Sequence, residues 1–223
     1  MSEPRVAALV CEGQSDAPIL RAVLEELWPG IEVRTLQPLL DEAGKTAAGA
    51  RAGWTAVRSW CAENRLSDLE DPLVGARFDV IVIAIDADIA LEANVVERPT
   101  PARPYDAAAL CRTVRSWLST PVPPSVVIAL PAMAIEAWVI AALYPGEKRP
   151  EDIANPAQYL VERDVLWASP ADGKPMKYMP SYRQKFGPAV AKRLKRVRKT
   201  CGEAERTCRK IERRRAAVEA GAR

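Results

Sequence analysis

The sequence predicts an α/β fold with a mostly parallel, doubly wound sheet flanked by helices. Three observations carry this expectation. Short apolar runs and helical periodicities alternate four times along residues 1–145. The clearest run, Phe78 to Ile85 (FDVIVIAI), is nearly continuous in β-branched residues, which suits a strand buried on both faces. Hydrophobic residues make up 48% of the 223 residues against 27% charged, enough for a sizeable core.

Each element has its own local reason. Arg5 to Cys11 is an apolar run long enough for a buried strand. The polar turn Glu12-Gly13-Gln14-Ser15-Asp16 follows. A helical pattern then runs to Trp28, with Ile19, Leu20, Val23, Leu24 and Leu27 on one face and Pro18 tolerated in the first turn. Pro29-Gly30 ends that helix, and Ile31 to Leu36 reads as a second strand. Gly44 to Asn64 is Ala-rich and mostly helical, with Trp54, Val57, Trp60 and Cys61 at helical spacing. The third strand, Phe78 to Ile85, ends in Asp86-Ala87-Asp88. A Pro-rich loop spans about Asn94 to Pro104, longer than a simple connection needs. Tyr105 to Leu118 is a helix, Ser125 to Leu130 a fourth strand, and Met133 to Leu143 a helix again.

Residues 146–187 read as a connecting segment that packs on this core. From Pro188 the pattern is one long basic helix reaching residue 223. Val190, Leu194, Val197, Cys201, Ala204, Cys208, Ile211 and Val218 form a heptad stripe, interrupted by Arg215. Its Cys and Ala positions bury little, so the stripe is expected to pack on the body or on a partner helix. The chain shows no internal repeat.

Composition removes whole classes of chemistry. There is no histidine. That excludes Ser-His-Asp triads, Cys-His pairs, HExxH zinc sites and histidine general bases. The five cysteines, Cys11, Cys61, Cys111, Cys201 and Cys208, form no CxxC, so a zinc site is not expected. Their odd count and wide spacing point to reduced thiols in a cytoplasm. The N-terminal apolar run is too short for a signal peptide, and the longest uncharged apolar stretch, Val126 to Ile135, is half a membrane span. A cytoplasmic protein without a membrane partner is therefore expected.

The net charge of +3 conceals an asymmetry. Lys174 to Arg223 holds 17 basic and 4 acidic residues, a balance of +13, and the first 173 residues hold 15 basic and 25 acidic, a balance of −10. An acidic body beside a basic tail suits a carboxylate site next to a surface for an anionic partner. A solvated basic helix with no partner is the plainer reading.

Candidate chemistry lies where strands end, because ligands in open α/β sheets bind outside the carboxyl ends of strands. Glu12 follows the first strand, Asp86 and Asp88 the third, and Glu136 the fourth, in the first turn of the next helix. If the first and third strands are neighbours, these carboxylates converge and need a cation. Oxygen ligands without His or thiolate select Mg²⁺ or Mn²⁺. In an extended segment the two carboxylates of Asp86-x-Asp88 point to one face, so they can share or bridge metals. Two such ions can activate water and stabilise the leaving oxygen of a phosphodiester.

This arrangement resembles the Toprim domain shared by topoisomerases, bacterial primases and nucleases of the overcoming-lysogenization-defect type. The resemblance covers roughly Arg5 to Leu143 and rests on strand-Glu12-Gly13-Gln14-Ser15-Asp16-helix and on the apolar strand before Asp86-Ala87-Asp88. It implies Glu12 as metal ligand or general base, and Asp16, Asp86 and Asp88 as metal ligands. The nuclease branch uses a later Glu, matched by Glu136 in Pro131-Ala-Met-Ala-Ile-Glu136-Ala-Trp138, and a downstream Lys, matched by Lys177, with Lys174 and Lys185 close behind. The resemblance extends to small stand-alone Toprim-like proteins, some encoded beside ATPases in phage-defence loci. It thus implies a Mg²⁺- or Mn²⁺-dependent nuclease acting on DNA or RNA, with an ATPase partner that gates it and homodimerisation left open.

Each carboxylate also has a structural reading: a strand-to-helix turn at Glu12-Gly13 with Ser15 or Asp16 as N-cap, acidic residues at a strand end, and a helix-dipole partner at Glu136. Gly44-Lys45-Thr46 is not a P-loop, since Leu39 occupies the position where the motif needs Gly. Trp54, Trp60, Trp117 and Trp138 fit core positions, and Trp167, in a loop rich in Pro and Asp, is open. Lys174 to Lys199 interleaves Tyr178, Tyr182 and Phe186 with basic residues; Lys174, Lys177, Arg183, Lys185, Lys192, Arg193 and Arg196 are its candidate nucleic-acid contacts. The competing reading is a non-catalytic adaptor that binds a protein or nucleic acid through the C-terminal helix. A primase-like polymerase ranks last, because nucleotide and template elements are missing.

Overall fold

The computed structural model describes residues 4–41, 46–64, 78–91, 106–118 and 122–221. Four parallel strands form the sheet: β1 (Val6–Val10), β2 (Glu32–Gln37), β3 (Val80–Ala84) and β4 (Val126–Ala129), in the order β2-β1-β3-β4. Helix α1 (Asp16–Leu27) connects β1 to β2, α2 (Trp54–Glu63) follows β2, α3 (Ala107–Ser116) precedes β4, and α4 (Glu136–Leu143) follows it. The α/β class and the parallel sheet with flanking helices are as the sequence predicts. Gly44, Lys45 and the loop from Asn94 to Pro104 lie outside the described residues, as does Tyr105.

Both sheet faces are dry, which explains why β3 is continuously apolar. Ala7, Leu9, Val80, Val82 and Ala84 point to one face, and Ala8, Val10, Ile81, Ile83 and Ile128 to the other. The second face is covered by Val57 and Cys61 of α2 and by Leu110 and Val114 of α3. The first is covered by α1, α4 and the C-terminal third of the chain.

That third begins with α5 (Pro156–Val161) and a small antiparallel hairpin, β5 (Trp167–Ala168) and β6 (Pro175–Met176). A helical turn at Met179–Ser181 and a π-helical turn at Tyr182–Phe186 lead into α6 (Gly187–Lys192), α7 (Leu194–Thr200) and the long α8 (Gly202–Glu219). The predicted long helix is therefore real but starts at Gly202. Between Pro188 and Gly202 the chain breaks twice. Arg193 leaves helical geometry at φ −114°, ψ 22°, and Cys201 is extended at φ −119°, ψ 107°. The breaks let the stripe wrap the body: Val190, Leu194, Val197, Cys201, Ala204, Cys208, Ile211 and Val218 are all buried in the core of this chain. Helix α6 approaches α1 so closely that a Cβ on Gly187 would lie 2.8 Å from the Pro18 carbonyl oxygen.

Helix α8 is also tied down by its basic residues. Lys210 donates to the Ile128 carbonyl at 2.7 Å, Arg214 to that of Asp79 at 2.7 Å, and Arg215 to that of Leu27 at 2.8 Å. Among the described residues no helix is long and apolar enough to cross a membrane.

Candidate active site at the carboxyl ends of the strands

Strand order places the site. The chain runs from β1 to β2 on one side, then returns to β3 on the other side of β1, so the connections diverge between β1 and β3. In open α/β sheets this divergence opens a ligand crevice at the carboxyl ends of the strands. Val10 of β1 pairs in register with Ile83 of β3. The residues just beyond, Glu12 and Asp86, therefore meet: the Asp86 backbone N–H donates to Glu12 Oε1 at 2.7 Å.

Asp16 is the first residue of α1 and is buried. Its carboxylate is held by the turn before it, accepting from the Gly13 N–H at 2.8 Å and the Ser15 hydroxyl at 3.1 Å. Glu136 opens α4 and is completely buried. Its Oε1 accepts from the Tyr182 hydroxyl at 2.7 Å and faces the Lys177 ammonium at 3.1 Å. Its Oε2 is buried and has no hydrogen-bond partner.

Burial and crowding of like charge set the electrostatics. Glu12 is raised from the usual 4.5 to about 8, chiefly by burial, with Asp16 and Asp88 adding repulsion. Asp16 is raised from 3.8 to about 6, again by burial first; Lys177 opposes this and Glu136 adds to it. Burial, then Asp16, Glu12 and Glu136, push Asp86 well above its ordinary value. Burial works against the Lys177 ammonium, but Glu136, Asp16 and Asp86 outweigh it and hold the group protonated beyond the usual lysine range. The Tyr182 phenol is held strongly protonated by burial and by Glu136, so it is a fixed donor.

The structure brings Glu12, Asp16, Asp86, Glu136 and Lys177 into one electrostatically coupled cluster. Asp88 stands apart. The residues after Asp86 turn into a 3₁₀ helix at Ala87–Leu91, tied by the Ala87 N–H to the Pro131 carbonyl at 2.8 Å. The expected extended geometry with both aspartates on one face is therefore absent, and Asp88 is exposed at the rim. Tyr182 belongs to the site although sequence reasoning placed it among base-stacking aromatics. It and Phe186 are fully buried, packed edge to face at 5.1 Å between ring centres. Of the basic candidates, Arg183, Lys185, Lys192 and Arg193 are exposed, and Lys174 is exposed and paired with Asp172 at 3.1 Å. Arg196 is half-buried, with Nη2 enclosed and unbonded.

The donor set is all oxygen, apart from the one ammonium, and suits a hard divalent cation. The unbonded Glu136 Oε2 and the raised carboxyl groups Glu12, Asp16 and Asp86 are what such a cation relieves. As placed, no three acidic or thiol side chains among the described residues form a metal cage, and Lys177 is the nearby positive charge. No family model matches the chain, and neither a curated protein nor a solved structure matches it significantly.

Proposed function

We propose that the protein is a Mg²⁺- or Mn²⁺-dependent nuclease of Toprim type that hydrolyses phosphodiester bonds. The observation that carries this reading is the cluster itself: carboxylates from three strand ends gather at the switch point of a parallel sheet, with a single ammonium among them from the described residues. Structural ion clusters usually balance their charges; this one has more acid than base at a position where ligands bind.

Glu12, Asp16 and Asp86 would hold the cation, with Glu136 contributing its unbonded oxygen. A bound ion would neutralise phosphate charge and acidify a coordinated water. The remaining roles fall to the chain. Glu12, which a cation beside it would keep as carboxylate, is placed to take the proton of the attacking water. Lys177, tethered to Glu136 and half open to solvent, can stabilise charge developing on the phosphoryl oxygens. Tyr182 fixes the Glu136 carboxylate through its short hydrogen bond. The test is cleavage of plasmid, single-stranded DNA and tRNA in Mn²⁺ by wild type and by Glu12→Ala and Asp86→Ala. Cleavage that both variants lose is expected; no cleavage, or cleavage the variants retain, rejects the reading.

One observation favours the adaptor reading: no metal cage is preformed among the described residues. Its proposed docking element is already used, because the apolar stripe of the tail is buried in the chain's own core. An adaptor would have to bind through exposed basic residues of α6 and α7 instead. Carboxylate variants that bind a partner like wild type, with no cleavage by either, would favour it.

A further inference from the structure

Large exposed apolar side chains are concentrated at one place. Among the described residues, Trp167 (66% exposed), Met176 (44%) and Tyr178 (50%) stand on the β5–β6 hairpin, and Leu39 is the other large one. Trp167 and Tyr178 stack, with ring centres 5.6 Å apart and planes at 24°. Trp167 pairs directly with Met176, and Tyr178 follows two residues after that pair.

The hairpin adjoins the carboxylate cluster through the turn that follows it. The Tyr178 N–H donates to the Met176 carbonyl at 3.1 Å, so the chain turns at Lys177 as it leaves β6. Lys177 reaches Glu136 at 3.1 Å, while Met176 and Tyr178 are exposed. A cleft of about 660 Å³ lies there, lined by Gln14, Trp167, Lys177, Tyr178 and Arg183 among others. Gln14 belongs to the turn that carries Glu12 and Asp16, so the cleft borders the site itself. From Lys174 to Lys199 the chain carries ten basic residues and no acidic one.

We propose that the Trp167–Tyr178 pair is a stacking platform for an unpaired base, and that the site's substrate is a single-stranded polynucleotide. This rests on the phosphodiesterase reading, because it names that centre's substrate. An aromatic face left open beside cationic side chains fits a base and its backbone phosphate. A duplex has its base faces already covered, so it cannot use the platform without extruding a base. If the pair served only to hold the hairpin, its rings would have no need of a cationic cleft leading to the carboxylates.

The experiment separates binding from cleavage. Fluorescence anisotropy in EDTA would measure binding of labelled oligo(dT) and oligo(U) of about 16 nucleotides, and of a duplex of equal length. Both single strands are expected to bind at least about tenfold tighter than the duplex, and a difference between them distinguishes DNA from RNA. Trp167→Ala and Tyr178→Ala should each weaken single-strand binding about tenfold, the range for losing one stacked base, while Trp167→Phe keeps most of it. Asp86→Asn should bind at least as well as wild type. If Trp167→Ala binds single strands like wild type, or if duplex binds as tightly as they do, the platform is wrong even for a chain that cleaves in Mn²⁺. If Trp167→Ala loses single-strand binding and the wild type cleaves nothing, the platform stands and the nuclease reading falls.

Discussion

Two charge-rich regions of this molecule are built from the same residue types and behave in opposite ways. On α7 and α8, every carboxylate is matched by an arginine. Arg198 bonds both Glu205 and Glu212, Arg206 pairs with Glu203, Arg209 with Glu205, and Arg215 with Glu219. Hydrogen bonds from Arg198 and Arg209 hold Glu205 below the usual carboxylate range, burial notwithstanding. At the strand ends, Glu12, Asp16, Asp86 and Glu136 share one ammonium among the described residues, and Glu12 is raised to about 8. Part of the tail's basic surplus, Lys210, Arg214 and Arg215, holds the tail down through backbone carbonyls, whereas the carboxylates at the strand ends outnumber the positive charge placed beside them among the described residues. The sequence presented both as ligand-binding features; only pairing distinguishes them.

The largest way to break this contrast is Asp86→Asn. It should reduce Mn²⁺-dependent cleavage by about 10²–10³-fold, the cost of one positioned electrostatic group. In EDTA at pH 8 the same change should raise the thermal midpoint, because one buried like charge is gone. A kinetic assay paired with a melting curve checks both signs. If Asp86→Asn lowers the midpoint as well, the cluster is structural.

A second test varies pH in EDTA. Carboxyl groups raised in the fold stabilise it fully below their unfolded values and lose that contribution as pH rises through the folded ones. For Asp16 the window runs from 3.8 to about 6, and for Glu12 from 4.5 to about 8. The midpoint should therefore fall by about 10–20 °C between pH 5 and pH 8, from about 5 kcal/mol at about 2–4 °C per kcal/mol. Mn²⁺ at pH 8 should recover it.

Lys177→Met should cost about 2 kcal/mol, less than a fully buried pair because the ammonium is partly solvated, and should also lower cleavage. The smallest effect belongs to the matched region. Arg198→Met should cost about 1 kcal/mol or less, and 1 M salt should shrink the difference. A larger loss at Arg198 than at Lys177 would reverse the comparison.

Periodicity made the first two-thirds of the fold legible. The β-branched run at Phe78 to Ile85 and the helical face of Ile19, Leu20, Val23, Leu24 and Leu27 lie where predicted, because burial on both faces or on one leaves a plain pattern. Glu12, Asp86 and Glu136 were legible because strand ends were. Lys177 came only from family resemblance, since nothing local marks it. Tyr182 could not be read: buried and exposed tyrosines look alike, and its partner lies 46 residues away. The breaks at Arg193 and Cys201 were hidden by the stripe, which keeps its phase across them. The exposed hairpin pair was hidden because Trp167 and Tyr178 are separated by a turn with no strand-length run on either side.

The strap formed by α8 has a consequence for how the chain is made. Lys210, Arg214 and Arg215 fasten it to the backbone of β4, of the β3 approach and of α1, and Val218 seals the core beneath. All four strands have left the ribosome some 90 residues before Val218 does, roughly 5–18 s earlier at ordinary elongation rates. During that interval one face of the sheet has α1 and then α4 but not the rest of its cover, and Lys177 and Tyr182 arrive only part of the way through it. A nascent chain thus carries the acids of the site before the Lys177 ammonium and the Tyr182 hydroxyl that hold Glu136 have been made.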